Sequence, residues 1–252
     1  MLVNTDAVVL NSRKYSDSSK ISVFFTLEEG KVTTLAKGAR STKSKYGSVL
    51  EPLSLCNISY YRKQGRELQA LAGAESIINL KPLYELPEHM LIGLALLESV
   101  NQAVQNDEKI EELFHLLKKS VILLNGNIDN PFSLFVYFQL QLAEILGFGM
   151  ELTRDMIYMD SDGDINKPYR VSLQNGGIIH HGAAFEKHSF LLDINIINNI
   201  IRIASDHPEG SSAIIFTEKM KNQAASFMSH YFSLHLDRKF GYRSLTLLNI
   251  IK

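Results

Sequence analysis

Hydrophobic and polar positions follow two different rhythms along this chain, and the change falls near residue 80. In "SKISVFFTL" the pattern alternates, with Ile21, Val23 and Phe25 on one face. The turn "EEGK" leads into "KVTTLAKGA", which predicts a hairpin over Thr26 to Lys37 with Gly30 at its tip. Upstream, "TDAVVLNSRKY" is β-branched and apolar in its first half. Further on, "EPLSLCNISYYRK" and "ELQALAGAES" flank a second tight turn, "QGR". Five short strands with turn residues between them suit a small closed barrel.

Beyond Pro82 and Pro87 the period becomes helical. Residues 88–105 predict a buried helix. Residues 108–124 place Ile110, Leu113, Phe114, Leu117, Val121 and Leu124 on one stripe that stops at Asn125-Gly126. "DNPFSLFVYFQLQLAEILG" predicts a helix capped by Asn130, with Pro131 at its first position and Gly147 at its end. Residues 217–236 carry Met220, Ala224, Phe227, Tyr231 and Leu234 at a 4-3-4-3 spacing. Residues 148–183 break the rhythm with Gly163, Pro168 and Gly176-Gly177, and predict an irregular insertion holding one or two short strands. The expected class is α+β, with a barrel domain over residues 1–80 and a mainly helical domain over 81–252.

Composition supports a folded chain of ordinary kind: 45% hydrophobic and 21% charged over 252 residues. A single cysteine, Cys56, excludes an internal disulfide framework and a cysteine-based zinc site. It reads as a small buried hydrophobe in a protein of a reducing compartment. The start of the chain has no secretory pattern, and no run approaches the roughly 18 apolar residues of a membrane span. The expected location is therefore the cytoplasm.

Charge changes the picture more. The formal net charge is −1, yet residues 1–80 hold 11 Lys/Arg against 7 Asp/Glu, a balance of +4. The remaining 15 against 20 give −5. Much of the positive excess sits in "KVTTLAKGARSTKSKYG", where Lys31, Lys37, Arg40, Lys43 and Lys45 are spaced by Gly, Ser and Thr with no acidic residue among them. Arg13 and Lys14 mark the first turn of the barrel, and Arg62, Lys63 and Arg66 mark a third cluster.

No reading of the residues supports covalent chemistry. Around Gly30-Lys31 a phosphate loop would need a glycine at Phe25 and a hydroxyl at Val32. "DSDGD" at Asp160 to Asp164 has its glycine misplaced for a calcium loop, and Val171 stands where the closing Glu belongs. Adjacent His180 and His181 diverge and lack partners at ligand spacing. Cations beside tyrosines in the turns of a small barrel instead suit a polyanion, since phosphates meet the charges and bases stack on rings. The candidate nucleic-acid contacts are Arg13, Lys14, Lys31, Lys37, Arg40, Lys43, Lys45, Tyr46, Tyr61, Arg62, Lys63 and Arg66. An RNA-binding barrel uses the same physics, and an acidic protein is a third possible partner.

"LAKGARSTKSKYGSVLEPLSL" resembles the K-G-A-R-x-x-K-S-x-x-G-x-x-L-x-P stretch of the RecO family of bacterial recombination mediators. "ILGFGMEL" is similar to that family's L-G-F-x-P-x-L segment, and "QNGGIIHHGA" to its G-G-x-x-C-x-x-C segment. "HYFSLHLDRKFGYRSLTLL" resembles its closing helix and tail. The resemblance runs through the whole chain in order. It implies an OB-fold barrel, a helical domain, no catalysis and no cofactor. It further implies single- and double-stranded DNA as ligands, annealing of complementary strands, and loading of RecA together with RecR onto DNA coated by single-stranded DNA-binding protein. A bacterial, nucleoid-associated setting follows from the same likeness.

Many members hold zinc through two Cys-x-x-Cys pairs, whose positions fall here near Asp155, Tyr158, His180 and Ala183. Tyrosine and alanine cannot complete that shell, so the insertion is zinc-ribbon-like without its metal. Packing of Leu152, Ile157, Val171, Leu173 and Ile178 is expected to hold it instead. Phe132, Phe135 and Arg154 are the candidate contacts for the tail of single-stranded DNA-binding protein, although burial or solvation explains the same three residues.

Overall fold

The computed structural model describes residues 1–126, 128–153, 168–179, 186–205 and 214–248. It divides into two compact units, Met1–Asn127 and Ile128–Lys252.

In the first unit, β1 (Leu2–Tyr15), β2 (Ser19–Thr26), β3 (Gly30–Ala36), β4 (Leu55–Tyr61) and β5 (Leu68–Ser76) form a closed barrel in the order β1-β2-β3-β5-β4. β1 closes it by serving two neighbours. Its first half, Leu2 to Val8, pairs with β4, and its second half, Ala7 to Tyr15, pairs with β2. The register shifts between Val9 and Asn11, which bends the strand around the barrel. β3 and β5 meet in parallel over Thr33 to Leu35 and Leu68 to Ala70. The predicted hairpin is present, with β2 ending at Thr26 and β3 starting at Gly30.

Val9, Phe24, Val32, Cys56, Ile58, Tyr60 and Leu71 fill the barrel. The outer wall is also covered on one side. Phe25 is fully buried like its neighbour Phe24, because its ring meets Phe114 at 6.2 Å between centroids. Strict alternation therefore fails in β2: one phenylalanine points inward and the next is covered by a helix.

Three helices provide that cover: α1 (Lys81–Glu85), α2 (Pro87–Ala103) and α3 (Glu111–Asn125). Leu113, Phe114, Leu117, Val121 and Leu124 of the predicted stripe are buried. Gly93 of α2 lets Leu53 approach so closely that a Cβ there would lie 2.9 Å from the leucine side chain. Residue 80 thus marks the end of the barrel, whereas the compact unit continues through α3.

The second unit contains α4 (Pro131–Ile145), the two-stranded sheet of β6 (Tyr169–Ser172) and β7 (Ser189–Leu192), then α5 (Ile194–Ser205), α6 (Glu218–His235) and α7 (Arg243–Leu248). The Asn130 side chain accepts from the Ser133 amide at 3.1 Å, and Thr217 caps α6 in the same way. The core is aromatic: Phe135 meets Tyr242 at 4.8 Å and Phe232 stacks on Phe240 at 4.8 Å. The Tyr242 hydroxyl donates to the buried Gln139 at 3.1 Å.

Of the residues expected to hold the insertion, Leu152, Val171, Leu173 and Ile178 are buried, and Ile157 lies outside the described residues. The partner of β6 is β7, which lies beyond the expected limit of residue 183. The four positions aligned with zinc ligands, the acidic turn at Asp160 and the His180-His181 pair are also outside the described residues. Among those described, no group of three or more His, Cys, Asp or Glu is placed to hold a metal ion, and no helix is long and apolar enough to cross a membrane.

Candidate nucleic-acid interface

The segment joining β3 to β4 is a chain of tight turns rather than a loose arm. Ser41 N donates to Gly38 O, Ser44 N to Ser41 O and Val49 N to Tyr46 O, all at 3.0–3.2 Å. Ala39, Tyr46, Val49 and Leu50 pack into the barrel core. Burying those four side chains forces the polar residues between them outward, and Lys37 and Lys43 are exposed.

Arg40 joins this segment to the β1–β2 turn. Its amide donates to Ser18 O at 2.9 Å and its guanidinium to Ser16 O at 2.8 Å. That bridge brings Arg13 and Lys14, at the end of β1, toward the β3–β4 segment. Arg13, Lys14, Lys37 and Lys43 are exposed, and none has a side-chain partner among the described residues. Four cations without a side-chain partner among the described residues therefore lie at one end of the barrel, beside Tyr15, which is 47% exposed, and the exposed Asp17 of the β1–β2 turn.

A second group lies at the β4–β5 turn. Gln69 braces this turn from both sides, accepting from Lys63 N at 2.8 Å and donating to Lys63 O and Arg66 O at 3.2 and 2.6 Å. With the backbone fixed, the Lys63 and Arg66 side chains project into solvent without partners among the described residues. Tyr61, just before the turn, is 52% exposed.

One row of the outer wall runs between the two groups. Arg13, Ile21, Leu35, Ala70 and Tyr61 lie opposite one another in register across β1, β2, β3, β5 and β4. Residues paired in this way share a face. Their neighbours Ser22, Thr34, Gln69 and Tyr60 are buried, turned toward the interior. Followed around the closed barrel at about 4.8 Å per strand, the row is an arc of roughly 19 Å. Cations stand at both ends; between them Ile21 is buried, Leu35 is half-buried, and Ala70 and Tyr61 are exposed.

Five expected contacts have other work. Tyr46 is 5% exposed, its hydroxyl donates to Leu71 O at 3.3 Å, and its ring is a core element that cannot receive a base. Lys45 donates to Ala72 O at 2.5 Å and lies 5.2 Å above the Tyr46 ring. Lys31 donates to Asn101 O at 3.1 Å and Val104 O at 2.8 Å, placing its charge on carbonyls at the C-terminal end of α2. Arg62 forms an ion pair with Glu29. Arg40 is likewise committed to backbone, so its role is to hold two turns together.

The candidates in the second unit fare differently. Phe132 and Phe135 are 1% and 0% exposed and pack at 5.3 Å, which makes them core side chains rather than a surface for a partner. Arg154 is outside the described residues. The reading from sequence overlooked Leu35, Leu68 and Ala70 on the outer wall. Strand pairing is the signal that places them there, and it is not written in any single strand.

Cys56 is fully buried and its thiol donates to Ala7 O at 3.7 Å. Burial, reinforced by the Asp6 charge, pushes its pKa up to about 12. It is an inert core residue.

Comparison with known proteins bears on the same regions. The family profile described as "Recombination protein O N terminal" matches residues 1–79, and "Recombination protein O C terminal" matches residues 86–244. A protein from Chloroherpeton thalassium named DNA repair protein RecO is 29% identical over 259 aligned residues, covering 99% of this chain and 98% of that one. One of the same name from Salinibacter ruber is 33% identical over 156 residues, covering 62% of this chain and 60% of its own. Another from Alkaliphilus metalliredigens is 26% identical over 94% of this chain. With the barrel and the helical region both matched, the chain belongs to the RecO family of DNA repair proteins.

Proposed function

We propose that this protein is a recombination mediator that binds single- and double-stranded DNA, anneals complementary strands and, with RecR, helps place RecA on DNA coated by single-stranded DNA-binding protein. The observation that carries the DNA-binding part is the outer row of the barrel, with free cations at both ends and an exposed tyrosine on it. Arg13, Lys14, Lys37 and Lys43 meet phosphates at one end; Lys63 meets them at the other, beside Arg66. Tyr61 offers a ring for a base, a contact that depends little on sequence.

Annealing follows from that chemistry. Backbone neutralisation lowers the repulsion between two strands, and sequence-tolerant stacking leaves base edges open for pairing. No bond is made or broken, which fits the absence of any nucleophile-and-base pair in the reading of the residues. RecR, the single-stranded DNA-binding protein tail and RecA are proposed from family membership; with Phe132 and Phe135 in the core, the surface for that tail must use other residues.

The test is annealing of complementary oligonucleotides coated with single-stranded DNA-binding protein. Acceleration by this protein supports the reading, and none would remove it. An RNA-binding reading predicts instead tighter binding of RNA than of the matched DNA strand.

A further inference from the structure

β3 and β5 pair only from Thr33 onward. Below that point the free edge of β3 is taken by the segment between α2 and α3: Lys31 forms a parallel bridge with Asn106, and Asp107 N donates to Lys31 O at 3.3 Å. The β4–β5 turn stands on the other side. The seam between them opens into a cavity of about 300 Å³, at the lower end of the range for small-molecule sites.

The lining chemistry is specific. Gln69 is consumed in bracing the turn and Lys31 in capping α2, so both hold the walls in place. Beside Val32 and Gly65, the remaining lining residues carry polar side chains: Arg66, Glu67, Asp107, Asn106 and Thr33. Two carboxylates make this a poor site for a phosphate. The Arg66 guanidinium beside them makes it a poor site for a metal ion. What answers both is a flat neutral group with acceptors on one edge and donors on another.

Building on the DNA-binding reading above, we propose that this cavity receives one unstacked base of a bound single strand, with a preference for guanine. Guanine presents O6 and N7 together to an arginine, the commonest specific base contact. Its opposite edge carries N1–H and the 2-amino group, two adjacent donors that a carboxylate accepts as a pair. Adenine lacks the acceptor at position 6, thymine offers a single donor, and cytosine, whose adjacent N3 and O2 can meet an arginine as a pair, leaves only its 4-amino group for the carboxylates. Single strands are where such reading occurs, because an unpaired base can be splayed out and its edges bonded. Tyr61 and Lys63 on the approach to the same turn hold the neighbouring base and phosphate.

The experiment measures binding of labelled oligo(dT) and of the same strand with one central guanine, by fluorescence anisotropy at fixed salt. The guanine strand should bind about tenfold more tightly. Replacing the guanine with inosine, which lacks the 2-amino group, or with 7-deazaguanine, which lacks N7, should each remove much of the gain. The double variant Asp107→Asn, Glu67→Gln should abolish the preference; asparagine suits position 107, whose φ is +58°. Equal binding of the two strands, or a preference that survives both base analogues, would overturn the proposal. Failure to bind oligo(dT) at all would instead remove the DNA-binding reading on which it rests. Because the analogue arms use the unaltered protein, the test does not depend on the variants folding.

Discussion

Replacing Gly30 with alanine isolates the junction between the β2–β3 hairpin and the α2–α3 segment. Gly30 has a φ of +64°, and a Cβ built on it would lie 2.2 Å from the Glu108 carbonyl oxygen, 2.5 Å from its carbon and 2.8 Å from its nitrogen. Two costs arise. Left-handed backbone costs an alanine about 1–2 kcal/mol. The clash is with backbone, so the hairpin tip or the linker must move, adding about 1–3 kcal/mol by analogy with overpacked cores.

Gly38 is the internal control. Its φ is +71° and nothing lies within 4 Å of its virtual Cβ, so Gly38→Ala carries only the first cost. Urea unfolding of both variants, followed by circular dichroism, should show Gly30→Ala destabilised by about 1–3 kcal/mol more than Gly38→Ala. Equal losses would refute the argument that the barrel and α3 are locked through this contact. Because Asp107 sits on the displaced segment, Gly30→Ala should also weaken any guanine preference.

Tyr61→Ala should weaken single-stranded DNA binding by about 1–3 kcal/mol, the contribution of one stacked base, with little change in stability. Tyr46→Phe should do the reverse, costing about 1 kcal/mol of stability through the lost hydrogen bond to Leu71 while leaving DNA affinity unchanged; equal effects on affinity would mean the two tyrosines have been assigned wrongly. His235 stacks on Phe148 at 4.6 Å and lies 4.5 Å from Tyr231. Burial holds its pKa below 6.5, opposed in part by the backbone of Leu173 and Gln174. The unfolded chain takes up this proton more readily, so the contribution to stability is complete above pH 6.5 and is lost as pH falls below it. The urea midpoint should therefore drop more steeply on acidification in the parent than in His235→Phe, and matching slopes would contradict the burial argument.

The strands of the barrel were legible because each is short, bounded by turn residues and rich in β-branched or aromatic side chains. Helices α3 and α4 were legible from one apolar stripe and one Asn-Pro start. Helix α5 was not anticipated. Its "INIINNIIRIAS" is dominated by isoleucine, which favours strands locally. Ile196, Ile197, Ile200, Ile201 and Ile203 are nevertheless buried along a helix that Asp193 starts by accepting from the Asn195 and Ile196 amides.

For the interface, sequence located the cationic turns but not the division of labour within them. Lys31, Lys37, Arg40, Lys43 and Lys45 look alike as a run. Only tertiary contact separates Lys37 and Lys43, which have no side-chain partner among the described residues, from Lys31, Arg40 and Lys45, which hold carbonyl oxygens of distant segments. The same applies to Tyr46 and Tyr61: the first ring enters the barrel with its hydroxyl on Leu71 O, and the second, paired with Ala70 of β5, stays outside. The assignment of α1–α3 to the barrel unit rests likewise on Phe25 meeting Phe114 and Leu53 meeting Gly93, contacts that no local pattern announces.

The central claim is that free cations at the ends of one outer row hold a nucleic-acid backbone. Its most direct measurement is the salt dependence of single-stranded DNA affinity for the parent and for a variant with Arg13, Lys14, Lys37 and Lys43 all changed to alanine. Single strands lose about 0.7 of log–log slope per phosphate contact, so four lost contacts should flatten the slope by up to about 2.8 while the protein stays folded. A slope unchanged by the four substitutions would contradict the claim.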